Sequence, residues 1–181
     1  MTASSRSCAF ASLVAAGAIR PLSRSARPIL QLLTAALVAL SGIVEPSALA
    51  QTTAQPRLPT VELQAGIHLI RAEVAASEAT RTSGLMFRQR LGPNEGMLFV
   101  FQSPDQHCFW MRNTPLALSI AFIDPQGKIV NIEQMMPRSD QSHCAARPVP
   151  FALEMEQGWF KRRGFGPGSQ ISGPPGMFRK P

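Results

Sequence analysis

The sequence contains no tyrosine, few charged residues and only three cysteines. Charged residues make up 16% of its 181 positions, and phenylalanine with two tryptophans supplies all of the aromatic bulk. The apolar stretch at residues 29–44 is shorter than the roughly 20 residues that a membrane-spanning helix needs, and polar and small residues interrupt it. This stretch therefore does not predict a membrane anchor.

Acidic residues are scarce as well, with 11 against 18 basic residues and a formal net charge of +7. Four of the basic residues and one of the acidic residues lie within the first fifty positions, which leaves a net charge near +4 for the remainder. The other basic residues are scattered, except for a cluster at residues 161–163. Such a mild and dispersed charge gives little support to nucleic-acid binding.

The first fifty residues have the pattern of a secretory signal peptide. Basic residues precede the apolar stretch, which ends at the small-residue sequence Ser47-Ala48-Leu49-Ala50. We therefore expect residues 1–50 to be removed and a periplasmic or secreted mature protein to begin at Gln51. Removing fifty of the 181 residues leaves 131, which are enough for one domain and too few for two.

The mature chain has the pattern of short strands. Residues 51–60 are polar and predict a flexible lead, whereas residues 61–64 and 67–74 alternate in the manner of strands. Ser77 is a candidate N-cap for a short helix that extends toward residue 86. Later strands are predicted at 97–101, 108–112, 118–123, 128–134, 151–155 and 169–172, with a turn or helical piece at 157–164 and a flexible tail at 173–181.

Together these elements predict a mainly β fold. Asp124-Pro125-Gln126-Gly127 has the composition of a type I turn between two strands, and prolines exclude a long regular element over residues 135–150. We expect a compact single-domain β-sandwich or jelly-roll-like barrel over residues 61–172, with one short helix.

Five blocks of sequence occur in order across this domain. They are Gly84-Leu85-Met86 with Arg88, residues 96–101, Phe109-Trp110-Met111 with Asn113-Thr114, residues 120–124, and Ala152-Leu153-Glu154 with Gly158. In these blocks the chain resembles domain of unknown function family 192 (DUF192), exported or periplasmic proteins of bacteria and archaea. The resemblance implies a compact β-rich fold of jelly-roll type and no particular activity. Ser119 stands where the family often has an aspartate, which puts in doubt any site that depends on that carboxylate.

Two His-Cys dipeptides, His107-Cys108 and His143-Cys144, are the repeated reactive groups of the chain. In an oxidising compartment an even pair of cysteines is first a candidate for a disulfide, here between Cys108 and Cys144. The alternatives are two free thiols and a zinc or copper site that uses all four residues. Neighbouring residues of a strand point to opposite faces, and the short ligand spacings of zinc sites are missing, so the disulfide is favoured and no cofactor is expected.

Two other chemistries remain as alternatives. Met135 and Met136 lie near His143 and are soft ligands for Cu(I), although methionine more often fills a protein core. Asp124 and Glu154 would form an acid and base pair in a small hydrolase if the strands brought them together. Neither pattern is specific, so a role other than that of an enzyme is favoured.

Polar residues of the family-like blocks are the candidates for a binding site. We expect Arg88, Asn113, Thr114 and Glu154, with Trp110 beside them, to form a polar rim that binds a small ligand or saccharide. The alternative for Asn113 and Thr114 is a loop that hydrogen-bonds its own backbone. The sequence thus favours a ligand-binding or structural accessory module of the cell envelope, with a small molecule or an envelope component as its partner.

Overall fold

The first two strands of the domain form an antiparallel hairpin. They are β1 (Thr60–Ala65) and β2 (His68–Ala75), joined at Gly66, whose φ of 54° lies in the left-handed region that favours glycine.

The computed structural model describes residues 53–178 of the chain. The expected signal peptide, Gln51 and the last three residues lie outside this range.

A short helix connects β2 to a parallel neighbour. Helix α1 (Glu78–Ser83) begins at Ser77, whose side chain accepts a hydrogen bond from the Thr80 backbone N–H, while the Thr80 hydroxyl accepts one from the Ser77 backbone N–H. Strand β3 (Glu95–Asp105) follows and pairs parallel with β2. A parallel pair cannot be joined by a tight turn, and α1 with the loop after it makes the crossover.

The remaining elements complete one curled sheet and a small ribbon. They are β4 (Cys108–Phe109), β5 (Leu118–Ile123), β6 (Ile129–Met135), β7 (His143–Cys144), β8 (Val149–Glu156), α2 (Trp159–Arg162) and β9 (Ile171–Ser172). The seven-stranded sheet has the order β6-β5-β8-β3-β2-β1-β9, and β4 pairs with β7 in a separate antiparallel ribbon. The prediction of a mainly β domain is confirmed, as a half-barrel with two short helices.

The sheet curls so far that its two edges meet at one end. The turn between β5 and β6 lies against the segment before β9, where Ile129 N donates to Ser169 O and Ile171 N donates to Gly127 O. A Cβ atom on Gly127 would lie 2.4 Å from the Ile171 carbonyl oxygen, and its φ is 84°. The predicted turn at residues 124–127 therefore has a glycine where the two backbones leave no room for a side chain.

Each face of the curled sheet buries its own apolar cluster. Strand β5 serves both, because Ala121 and Ile123 belong to the first cluster while Ile120 and Phe122 belong to the second. The first cluster fills the inside of the curl around Trp159, and the second lies under α1 and the β4–β7 ribbon. A strand buried on both faces explains why residues 118–123 are apolar apart from Ser119.

The segments on either side of the sheet also contact it. The Gln55 side chain donates to the carbonyl oxygens of Thr80 and Gly84 at the end of α1. Met177 and Phe178 pack against the first cluster. Within residues 53–178 no helix is long and apolar enough to cross a membrane.

Candidate functional site

A cavity of about 280 Å³ opens between α1 and the β4–β7 ribbon and reaches down to the sheet. Glu78 and Arg81 of α1 lie on one side of it, and Cys108 and Trp110 lie on the other. Glu154 of β8, an interior strand between β5 and β3, reaches it from the sheet. We call this space the aromatic cavity, because four aromatic side chains line it: Phe99, Phe101, Phe109 and Trp110.

The aromatic side chains hold one another in place. The Phe99 and Phe109 rings meet edge to face with centroids 4.9 Å apart, and the Phe101 ring stacks on His107 at 3.4 Å. Such contacts stabilise the walls beyond simple burial. The walls are therefore built from packed rings of β3, β4 and the connection between them.

Glu154 is the buried acid of the cavity. Its side chain is 4% exposed, and its partners in register on the neighbouring strands are Met97 and Ile120. No hydrogen bond or ion pair reaches its carboxyl group from the described part of the chain. Burial among apolar neighbours raises the pKa of Glu154 to about 8, so the carboxyl is largely protonated at neutral pH while the cavity holds no counter-charge.

Trp110 stands at the mouth of the cavity with 40% of its surface exposed. The Arg112 guanidinium lies 4.0 Å from the ring centroid, and its Nε donates to Asp140 at 2.7 Å. This contact orients the indole while leaving it accessible. The half-exposed Trp110 ring is thus fixed at the mouth of the cavity, where a ligand can contact it.

Thr114 also lines the cavity, but Asn113 does not. The Asn113 carbonyl oxygen accepts from Phe87 N, and its side-chain amide lies 3.8 Å from the Met86 sulfur. Thr114 N donates to Met111 O, and its own carbonyl accepts from Arg138 N. This loop does bond its own backbone and that of its neighbours, and Asn113 positions the segment after α1.

Arg88 was expected at the rim, and the structure places it elsewhere. Its guanidinium is buried and donates to Glu73 at 3.0 Å, while Arg57 binds the other oxygen of the same carboxylate at 2.7 Å. Leu58 N donates to Glu73 as well. Arg88 therefore ties the lead segment and the loop after α1 to β2 and does not line the cavity.

The disulfide is present between Cys108 and Cys144, which are directly paired across β4 and β7. Both thiolates of the proposed metal site are consumed by this bond. His107 stacks on Phe101, whereas the Nδ1 of His143 lies 4.0 Å from a Glu133 oxygen on β6. Within residues 53–178 no group of three or more His, Cys, Asp and Glu side chains is arranged to hold a metal ion.

The other predicted pairs are not brought together either. Met135 is fully buried in the second cluster, whereas Met136 is 60% exposed. Asp124 accepts from two backbone amides of its own turn and pairs with Arg147 at 3.0 Å. It lies one residue beyond the end of β5 and four residues from Ile120, the partner of Glu154, or roughly 13 Å away. The acid and base pair of the hydrolase alternative is therefore not formed.

Sequence reasoning missed most of the cavity wall. Phe99 and Phe101 have the pattern of ordinary core residues, and Arg81 that of a solvated helix residue. Arg81 instead donates to the carbonyl oxygens of Ala76 and Val100, with its guanidinium 5.3 Å from the Phe101 centroid. Only the packing of α1 over the sheet brings these residues together.

Ser119 does not contribute to the cavity. It alternates along β5 with Ile120, so its side chain lies on the opposite face from that of Glu154. The Ser119 hydroxyl donates to Gln134 at 2.8 Å and accepts from Gly158 N at 2.8 Å. The serine therefore stabilises the start of α2, and its difference from the family pattern leaves the cavity unchanged.

Comparisons with known proteins agree with this architecture. A protein of Sinorhizobium meliloti described as a candidate transcription regulator is 33% identical, with a TM-score of 0.61 over 66% of this chain and 97% of the other. A protein of unknown function from Novosphingobium aromaticivorans is 34% identical, with a TM-score of 0.62 over 68% of this chain and 94% of the other. No match was found among the curated proteins.

The family comparison covers almost the whole of the sheet. The model of DUF192, described as "Uncharacterized ACR", matches residues 60–173, from the first residue of β1 to the residue after β9. This range includes every residue that lines the aromatic cavity. The chain therefore belongs to the DUF192 family.

Proposed function

We propose that the protein is a small-ligand-binding module of the cell envelope and that the aromatic cavity is its binding site. The observation that carries this proposal is a cavity with aromatic walls and an unpaired buried carboxyl group at Glu154. Burying an acid without a partner costs stability, and a protein tolerates that cost where the group serves a ligand. Trp110, Thr114 and Glu154 are the binding residues under this proposal.

Two features of the chain support a location in the cell envelope. Residues 1–50 have the pattern of a signal peptide, and a Cys108–Cys144 disulfide suits an oxidising compartment. Intact mass spectrometry of protein recovered after expression of the full chain tests this part. We expect the mass of a chain that begins at Gln51, two hydrogens below the value for the reduced protein. The mass of a chain that still contains residues 1–50 would contradict this expectation.

Binding is tested by screening a set of small fragments with two-dimensional NMR of the isotope-labelled protein. We expect fragments to shift the backbone resonances of residues that line the cavity, such as Leu85 and Phe109. Trp110→Ala should weaken these fragments, whereas Leu69→Ala should not, because Leu69 is similarly exposed and lies outside the cavity. Equal effects of the two variants, or shifts scattered over the surface, would reject the site.

A further inference from the structure

We propose that the ligand of the aromatic cavity is a small organic ammonium cation, bound between the Glu154 carboxylate and the faces of the aromatic rings that line the cavity. This inference rests on the proposed function, because it assigns a chemical class to the same site. It depends on three properties of the cavity: an acid without a cationic partner, walls that attract cations and a space of suitable size.

The acid without a cationic partner is Glu154. Its strand neighbours Met97 and Ile120 are apolar, and no described group donates to its carboxyl. Arg81 is the arginine of the cavity lining; its Nη1 donates to the carbonyl oxygens of Ala76 and Val100, and it forms no ion pair with Glu154. A bound cation would supply the counter-charge in a place where low polarity strengthens the attraction.

The walls suit a cation with apolar substituents. The faces of phenylalanine and tryptophan rings carry negative electrostatic potential and attract ammonium groups, with tryptophan the strongest. Phe99, Phe109 and Trp110 line the same space as Glu154. Arg112 over Trp110 and Arg81 beside Phe101 show that two rings of this wall already contact cations.

The size and polarity of the cavity favour such a ligand over a saccharide. A volume of about 280 Å³ lies just below the range of about 300–1,000 Å³ that is usual for ligand pockets, which favours a small ligand. A sugar needs several precisely placed donors and acceptors, and among the polar side chains that line the cavity only those of Glu154 and Thr114 are buried. One compact charge with alkyl groups matches the one buried acid of this lining, which lies among aromatic rings.

Binding is linked to protonation. At neutral pH the Glu154 proton leaves to the buffer when the cation binds, so binding strengthens as pH rises toward the pKa of about 8. The other titratable groups that line the cavity are Glu78, Arg81 and His107. Burial lowers the pKa of His107 below its usual value, so this imidazole is neutral over most of the range between pH 6 and pH 9.

The test uses choline, tetramethylammonium and propylammonium as probes, with 3,3-dimethylbutan-1-ol as the uncharged isostere of choline and glucose as a polyol. Affinities are measured by NMR titration and calorimetry on the protein recovered after expression of the full chain. We expect choline to bind more tightly than its isostere. Its affinity should rise roughly ninetyfold between pH 6 and pH 9, the ratio of the ionised fractions of an acid with a pKa of about 8.

Variants on β8 supply a matched comparison. Glu154→Gln should abolish both the preference for choline over its isostere and the release of a proton on binding, which calorimetry detects in buffers of different ionisation enthalpy. Glu156→Gln, an exposed carboxylate two residues along the same strand, should retain both. If Glu154→Gln fails to fold, the isostere comparison and the pH series on the parent protein still decide the question.

The outcomes separate the two proposals. Equal affinity for choline and its isostere, or affinity that is flat or falls with pH, would overturn the cation and leave a ligand site. If none of the three cations binds while glucose or another fragment shifts the cavity resonances, the cation is again rejected and the proposed function remains. If no compound shifts those resonances, both proposals are rejected.

Discussion

The buried Glu154 should make the protein less stable as pH rises. The folded-state pKa of about 8 exceeds the ordinary value of 4.5, because burial disfavours the charged form. Below pH 4.5 the carboxyl is protonated in both states and has no effect on the pH dependence. Between 4.5 and 8 the unfolded chain loses this proton and the folded chain keeps it, so the free energy of unfolding falls through that window and levels off above it.

The size of the effect follows from the shift. A displacement from 4.5 to about 8, at 1.36 kcal/mol for each pKa unit, corresponds to about 5 kcal/mol between pH 4 and pH 9. This is an upper figure, because water entering the cavity would screen the charge. Loss of several kcal/mol is a large share of the 5–15 kcal/mol that is typical of a small domain.

Urea unfolding of the disulfide-bonded protein at intervals from pH 4 to pH 9 measures this dependence. Glu154→Gln should remove it, while Glu156→Gln should retain it, because the Glu156 side chain is exposed on the same strand. The comparison uses the slope of the free energy of unfolding against pH. The cost of burying the glutamine amide does not change with pH, so it does not affect that slope. If Glu154→Gln and the parent protein lost stability in parallel across the window, the assignment of a raised pKa to this carboxyl would be refuted.

Three further predictions concern the rest of the fold. Reducing the disulfide, whose cysteines are 36 residues apart, should lower the free energy of unfolding by roughly 3–4 kcal/mol, and an unchanged denaturation midpoint with reductant would contradict this. Arg88→Ala should lower the free energy of unfolding, measured with a chemical denaturant, by about 3 kcal/mol, because it removes a buried partner of Glu73. Arg112→Ala breaks an exposed ion pair and should lower it by about 0–1 kcal/mol. Equal losses in the two variants would show that burial does not set the contribution of these ion pairs. Gly127→Ala should cost about 1–3 kcal/mol and lower Tm, because its φ is positive and the new Cβ meets the Ile171 carbonyl; a variant as stable as the parent would contradict that close approach.

Local patterns in the sequence predicted most of the secondary structure. The alternation at residues 67–74, the capping residue Ser77 and the turn at residues 124–127 all correspond to observed elements. Prolines were expected to exclude a long regular element from residues 135–150, and after Met135 this segment holds the two-residue strand β7 and the first residues of β8. A two-residue strand has too few positions to show a period, and only its pairing with β4 defines it.

The candidate site was predictable only in part. Trp110, Thr114 and Glu154 were chosen for their polar or aromatic character inside family-like blocks, and all three line the cavity. Arg88 was chosen on the same grounds and instead pairs with Glu73, a carboxylate whose burial within β2 the alternation did not indicate. Ion pairs between distant elements leave no local signal, because each partner alone resembles a solvated residue.

The sequence by itself determined the mainly β fold, the family, and the two cysteines available for a disulfide. The fold class follows from periodicity and turn residues, and the family resemblance is carried by short blocks of sequence, all of which are local along the chain. Only the tertiary structure decided that Glu154 is an unpaired acid among aromatic rings. Its surroundings come from α1, β3, β4 and β8, and the low polarity that raises its pKa exists only once those distant segments pack together and exclude water.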